Sequence, residues 1–181
     1  MKALRIVLTI LILGALWGAV ELMSLPTFLY ISAGILFLTI GRTLMNKVGT
    51  SIAIGIVVCA LKIVNFTYFF ACMWGGILAV AVSFDLLATL FWKEESWSVV
   101  KASVLGFAGA AVAAPLFIVW VLWLVPEPRW VEGGLSLALE YFTTTGLYSA
   151  LFSLVVAAAG FMLGGFLKKW YPAERKAISH S

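Results

Sequence analysis

The sequence predicts an all-α integral membrane protein, a compact bundle of about six transmembrane helices that forms one domain over residues 1–181. Hydrophobic residues make up 64% of the chain and charged residues only 11%, whereas soluble domains carry about a quarter charged residues. Apolar runs such as Ile6–Val20 and Val99–Val125 approach or exceed the roughly 20 residues that cross a bilayer as a helix. These runs lack the alternating polarity of membrane β-strands, so they favour helices.

Glycine, proline and charged clusters divide the chain into its predicted spans. In order, the spans cover about residues 4–24, 27–43, 49–70, 74–92, 98–125 and 135–167. The last two are longer than a bilayer requires, so we expect them to be tilted, broken or extended beyond the membrane. Pro115 lies within the fifth span and should bend it, because proline removes a backbone hydrogen bond from a helix.

The basic residues predict the orientation, since the cytoplasmic loops of membrane proteins carry an excess of Lys and Arg. In a six-span arrangement, one side holds ten of the twelve: Lys2, Arg5, Arg42, Lys47, Lys93, Lys101, Lys168, Lys169, Arg175 and Lys176. Arg129 lies on the opposite side, and Lys62 lies inside the third span. Both termini are therefore predicted to be cytoplasmic. Because these basic residues are scattered along the chain, they indicate its topology in the membrane. They do not indicate a nucleic-acid partner.

Small residues in the first span are spaced for close helix packing. Gly14 and Gly18 are four residues apart, and so are Ala15 and Ala19. This spacing makes a groove on one helix face, where another backbone can approach. Two interpretations follow: the groove serves packing inside the bundle, or it is a face on which another membrane subunit docks.

Ionisable side chains within the spans need an explanation, because a charge in hydrocarbon costs a few kcal/mol even on lenient scales. Glu21 lies near the outer end of the first span, and Lys62 and Asn65 lie in the outer half of the third. Glu140 lies near the outer end of the sixth span, with Thr144 one turn away on the same face. Aromatic residues expected to wall this region are Trp17, Phe66, Phe69, Trp74, Trp130 and Tyr141.

This polar cluster has two interpretations. In one, Lys62 pairs with Glu21 or Glu140 and holds the helices together. In the other, the cluster lines a pocket that opens to the outside and binds a small polar solute. Two carboxylates and one lysine leave a net negative charge, which favours a cationic or zwitterionic ligand. Asp85 lies apart, near the middle of the fourth span. Four roles are open for it: a proton or cation site, a deep ligand contact, a partner of Lys62, or a structural hydrogen bond or ion pair.

The sequence offers little for catalysis or metal binding. Asp85 is the only aspartate, which excludes a pair of intramembrane aspartates. Neither a Gly-x-Ser-x-Gly nor a His-Glu-x-x-His motif occurs, so a serine hydrolase or a zinc protease is not indicated. His180, Cys59 and Cys72 are too few and too widely spaced for a zinc site. We therefore expect no enzymatic activity, no metal and no cofactor.

Six spans in 181 residues, with both ends inside, an outward polar pocket and Ala15-x-x-x-Ala19 in the first span, resemble the substrate-binding S components of energy-coupling factor transporters. The resemblance implies a subunit of a prokaryotic plasma membrane that captures a vitamin or a precursor from outside. It also implies a transmembrane coupling protein and two cytoplasmic ATPases, with Ala15 and Ala19 on the docking face. The start of the chain lacks the histidine of the metal-binding branch, which argues against cobalt or nickel.

Two other functions stay open. The chain could be an autonomous transporter or channel in which Asp85 or Glu140 couples movement to protons or sodium. Six spans without an internal repeat would then have to dimerise to form a pathway. Alternatively, the chain is a scaffold subunit that uses the same compact helical fold without any solute. Membrane lipid is an expected partner under each of these hypotheses.

Overall fold

The computed structural model describes residues 2–23, 25–65, 71–92 and 97–170. This part of the chain is helical and contains no strand, which confirms the predicted all-α class. The helices are α1 (Lys2–Glu21), α2 (Thr27–Met45), α3 (Thr50–Asn65), α4 (Ala71–Phe91), α5 (Val99–Val119), α6 (Pro128–Tyr141) and α7 (Leu147–Trp170). A π-helical turn, Trp120–Leu124, extends α5, and a second one, Phe142–Gly146, joins α6 to α7.

Five helical stretches are long and apolar enough to cross a membrane. They are Ala3–Glu21, Thr27–Met45, Met73–Phe91, Val99–Leu124 and Pro128–Lys169. The apolar part of α3, Thr50–Ile63, is shorter, and residues 66–70 of the same predicted span lie outside the described residues. By length and composition, the chain has the character of a multi-pass membrane protein.

The two longest helical stretches are interrupted. Pro115 lies inside α5, which continues past it to Val119, and this stretch changes to the π-helical turn at Trp120–Leu124. The bend expected at Pro115 stays a prediction. The last stretch begins at Pro128, earlier than the predicted residue 135, because proline is well accommodated in the first turn of a helix. It breaks at Gly134, where φ is 53° and ψ is −143°, a conformation that is essentially restricted to glycine.

The second helix lies at the centre of the bundle. It packs against α1, α4 and α7, while α7 also packs on α5, α5 on α4, and α3 on α1 and α4. In their most apolar segments, 56% of α2 is buried but only 22% of α1. The first helix therefore lies at the periphery, with most of its surface turned away from the bundle.

The small residues of α1 divide between two faces. A Cβ added at Gly14 or Gly18 would come within 2.6 or 3.0 Å of side chains on α3, so these glycines allow the two helices to approach closely. Ala15 and Ala19 are exposed. Of the two sequence interpretations, internal packing accounts for the glycines, while the alanines face outwards.

Close packing of α5 on α7 gives a first prediction. A Cβ added at Gly106 would lie 2.3 Å from the Ala157 Cβ and 2.8 Å from the Ser153 carbonyl oxygen. Gly106→Ala should therefore lower the free energy of unfolding by about 1–3 kcal/mol, as overpacking generally does. Gly165→Ala is the control, since a Cβ there meets nothing within 4 Å and alanine favours helices. Unfolding in detergent micelles, followed by circular dichroism, should separate the two variants; equal stabilities would contradict this contact.

Candidate functional site

A cavity of about 260 Å³ lies at the end of the bundle where α1 ends and α4 begins. Its lining consists of Trp17, Glu21, Thr27, Tyr30, Ile31, Lys62, Met73, Gly76, Ile77, Val80, Ala113, Phe117, Trp130 and Tyr141. The lining is mostly apolar and aromatic, with a few polar groups, which is the usual composition of a small-molecule site. The volume is close to the lower end of the range for such sites, roughly 300 Å³.

Glu21 and Lys62 form an ion pair within this lining. The Lys62 Nζ lies 2.8 Å from the Glu21 Oε2, and both side chains are less than a tenth exposed, at 4% and 7%. The indole Nε1 of Trp17 donates a hydrogen bond to the other carboxylate oxygen at 3.2 Å. Such additional hydrogen bonds help to offset the cost of removing two charges from water. Of the three carboxylates that the sequence left open as partners of Lys62, namely Glu21, Glu140 and Asp85, the structure places Glu21 in an ion pair with it.

Glycines allow α1, α2 and α3 to bring this pair together. Trp17 and Glu21 are four residues apart and therefore share one face of α1. Gly34 on α2 leaves room for the indole, because a Cβ there would lie 2.5 Å from the Trp17 Cζ2. Gly18 lets α3 lie close to α1, so that Lys62 reaches Glu21.

A cluster of three aromatic rings forms another part of the lining. The ring of Phe117 lies 5.2 Å from that of Trp130 and 5.1 Å from that of Tyr141, and the last two rings are 5.2 Å apart. On a straight helix, residues 130 and 141 would be separated by roughly 16 Å along the axis. The break at Gly134 folds the beginning of α6 back and brings the two rings into contact.

The predicted site residues have different locations. Those that line the cavity are Trp17, Glu21, Lys62 and Tyr141. Glu140 and Thr144 are exposed, and the Thr144 hydroxyl donates to the Glu140 carbonyl oxygen at 2.6 Å. Trp74 is partly buried against the core and does not belong to the described lining. The side chain of Asn65 lies outside the described residues.

Asp85 contributes to the other end of the bundle. Its carboxylate accepts hydrogen bonds from the backbone N–H groups of Gly49 and Ser51, at 2.8 and 3.1 Å. It also lies 3.8 Å from the Arg42 Nη1. The two amides are at the start of α3, where N–H groups without helical partners need an acceptor. Among the roles that the sequence left open, the contacts of Asp85 match a structural ion pair and helix cap, and it is absent from the described cavity lining.

Several lining residues were missed in the sequence. Tyr30, Ile31, Met73, Gly76 and Phe117 line the cavity but lie in apolar runs, where composition does not reveal which face turns inwards. The adjacent glycines at positions 75 and 76 were the one usable signal. Glycine often marks a place where another group comes close to the backbone.

Comparisons of the chain with protein-family models, curated proteins and solved structures found no match. Within the described residues, no group of three or more His, Cys, Asp or Glu side chains is arranged to hold a metal ion.

For the buried Glu21–Lys62 pair, we expect that replacing Lys62 alone destabilises the protein more than replacing both residues. Lys62→Met leaves Glu21 buried without its cation, and we expect a loss of about 3 kcal/mol in the free energy of unfolding. The double variant Glu21→Gln/Lys62→Met has no unpaired buried charge and should lose less than Lys62→Met alone. Unfolding of the single and double variants in micelles measures this coupling. Additive losses would show that the two side chains do not depend on each other.

Proposed function

We propose that this chain is the solute-binding subunit of a small-molecule uptake transporter in the plasma membrane of a prokaryotic cell. The observation that carries the proposal is the cavity in which a buried Glu21–Lys62 pair lies with a cluster of three aromatic rings. Polar groups that fix orientation within apolar walls are what a site for a small polar solute, such as a vitamin or a precursor, requires. The chain captures this solute and does not transform it.

The distribution of charge supports a cavity that opens to the outside. The other end of the bundle carries most of the described basic residues: Arg5, Arg42, Lys47, Lys101, Lys168 and Lys169. An excess of Lys and Arg is characteristic of the cytoplasmic side. In this orientation both termini are cytoplasmic, and the solute enters from the outer face.

Transport then requires partner proteins. The chain has no Gly-x-x-x-x-Gly-Lys-Ser/Thr sequence for binding ATP phosphates, so two separate cytoplasmic ATPases supply the energy. A transmembrane coupling protein docks on α1, where Ala15 and Ala19 are exposed on a peripheral helix. Gly14 and Gly18 contribute indirectly, by holding α1 against α3. The resemblance to the S components of energy-coupling factor transporters supports this arrangement.

Purification from native membranes tests the proposal. The full-length chain, extracted in mild detergent, should retain a small molecule and a coupling protein with its ATPase pair, and mass spectrometry identifies each of them. Gly76→Leu should abolish retention of the small molecule, because its added Cβ lies in the cavity lining, 3.8 Å from the Phe117 ring, and the longer side chain fills the space.

Gly165→Leu is the matched control for Gly76→Leu, since a Cβ at Gly165 meets nothing within 4 Å. Equal retention by the two variants would contradict binding in the cavity. Recovery of the chain alone or as a homo-oligomer would favour an autonomous transporter or a scaffold.

Orientation can be tested by labelling single cysteines in intact cells, with Cys59 and Cys72 first replaced by serine. Glu132 lies in α6, near the cavity end, and Lys101 lies in α5, at the opposite end; both side chains are exposed. A maleimide that cannot cross membranes should label Glu132→Cys directly and Lys101→Cys only after permeabilisation. The reverse pattern would mean that the cavity opens towards the cytoplasm.

A further inference from the structure

The cavity lining is balanced in charge. Among the described residues that line it, Glu21 and Lys62 are the only charged side chains, and they are paired with each other. Glu140, the second carboxylate expected from the sequence, is exposed and does not belong to this lining. One acid and one base leave no net charge with which to attract a cation or an anion.

In this structure the Glu21–Lys62 pair is closed, which means that the two side chains contact each other directly. Lys62 and the Trp17 indole each engage one carboxylate oxygen of Glu21. The indole is 1% exposed and packs on Gly34, where there is no space for a Cβ. A cationic solute would place two positive charges against the single carboxylate, and an anion would place two negative charges against the single ammonium group. Either leaves a buried charge without compensation, which is strongly unfavourable, so the site disfavours both.

The remaining lining suits a flat ring. Phe117, Trp130 and Tyr141 offer ring faces and edges, which pack well against a further aromatic ring. The closed pair presents a carboxylate, which accepts hydrogen bonds, beside an ammonium group, which donates them. An acceptor next to a donor complements a ring edge on which an N–H stands beside a C=O, as in a lactam.

Building on the proposed function, we infer that the cavity selects an uncharged, flat heteroaromatic solute with a lactam edge. The ring lies among the aromatic side chains, its N–H donates to Glu21, and its carbonyl oxygen accepts from Lys62. The Glu21–Lys62 pair stays closed when the solute binds. Cationic and zwitterionic solutes, which two carboxylates would have favoured, bind less tightly.

Five probes of similar size test this selection. They are the lactam carbostyril, N-methylcarbostyril, the cation N-methylquinolinium, the anion quinaldate and the zwitterion tryptophan. Equilibrium dialysis at neutral pH against lipid nanodiscs that contain the full-length chain gives each Kd, with empty nanodiscs correcting for partition into lipid. Carbostyril should bind at least about tenfold more tightly than each of the other four.

Charge variants provide a second readout. Glu21→Gln leaves Lys62 without its counter-charge and should raise the affinity for quinaldate about tenfold. Lys62→Gln should do the same for N-methylquinolinium. The double variant Glu21→Gln/Lys62→Gln carries no unpaired charge that would impair folding, and it should still prefer carbostyril to both ions. Unchanged affinities for the ions in both single variants would overturn the role given to the pair.

The outcomes separate this inference from the proposed function. Tightest binding of a charged or zwitterionic probe, lost in Gly76→Leu but kept in Gly165→Leu, would overturn the charge selection and support solute binding. Equal affinity for carbostyril and its N-methyl derivative would overturn the lactam edge. Absence of cavity-dependent binding for all five probes would overturn the inference. If the natively purified chain also retains no small molecule, the proposed function fails with it.

Discussion

The arrangement of the helices around the cavity depends on one physical requirement. A charged side chain inside an apolar bundle needs a partner of opposite charge. Glu21 and Lys62 meet this requirement for each other at 2.8 Å, and in doing so they join α1 to α3. At the other end of the bundle, Arg42 and Asp85 join α2 to α4. Because unpaired charges are so costly in such surroundings, the two pairs restrict how the helices can be arranged at each end.

Close backbone approach makes these pairings compatible with dense packing. Gly14 and Gly18 allow α3 to lie against α1, and Gly34 on α2 leaves room for the indole of Trp17. The indole in turn donates to Glu21, so the position of the acidic group follows from how its neighbours pack. The same small residues that the sequence offered as a docking motif therefore support the polar site, while Ala15 and Ala19 remain on the outer surface.

The helices were predictable from sequence because long apolar runs have few alternatives in a bilayer. Pairing of Lys62 with a carboxylate was one of two interpretations, suggested by the cost of an isolated charge. The choice of Glu21 over Glu140 and Asp85 depends on which helices are neighbours. The contact of Asp85 with Arg42 could not be predicted for the same reason. The contact between Trp130 and Tyr141 requires the break at Gly134, which a pair of glycines permits without dictating it.

The most direct test of a solute-binding cavity is a structure of the full-length chain purified from its native membranes, determined by cryo-electron microscopy with a bound antibody fragment. We predict density for a flat small molecule between the closed Glu21–Lys62 pair and the ring cluster of Phe117, Trp130 and Tyr141. A cavity filled by the protein's own side chains, with those three rings packed directly on the ion pair, would contradict this account.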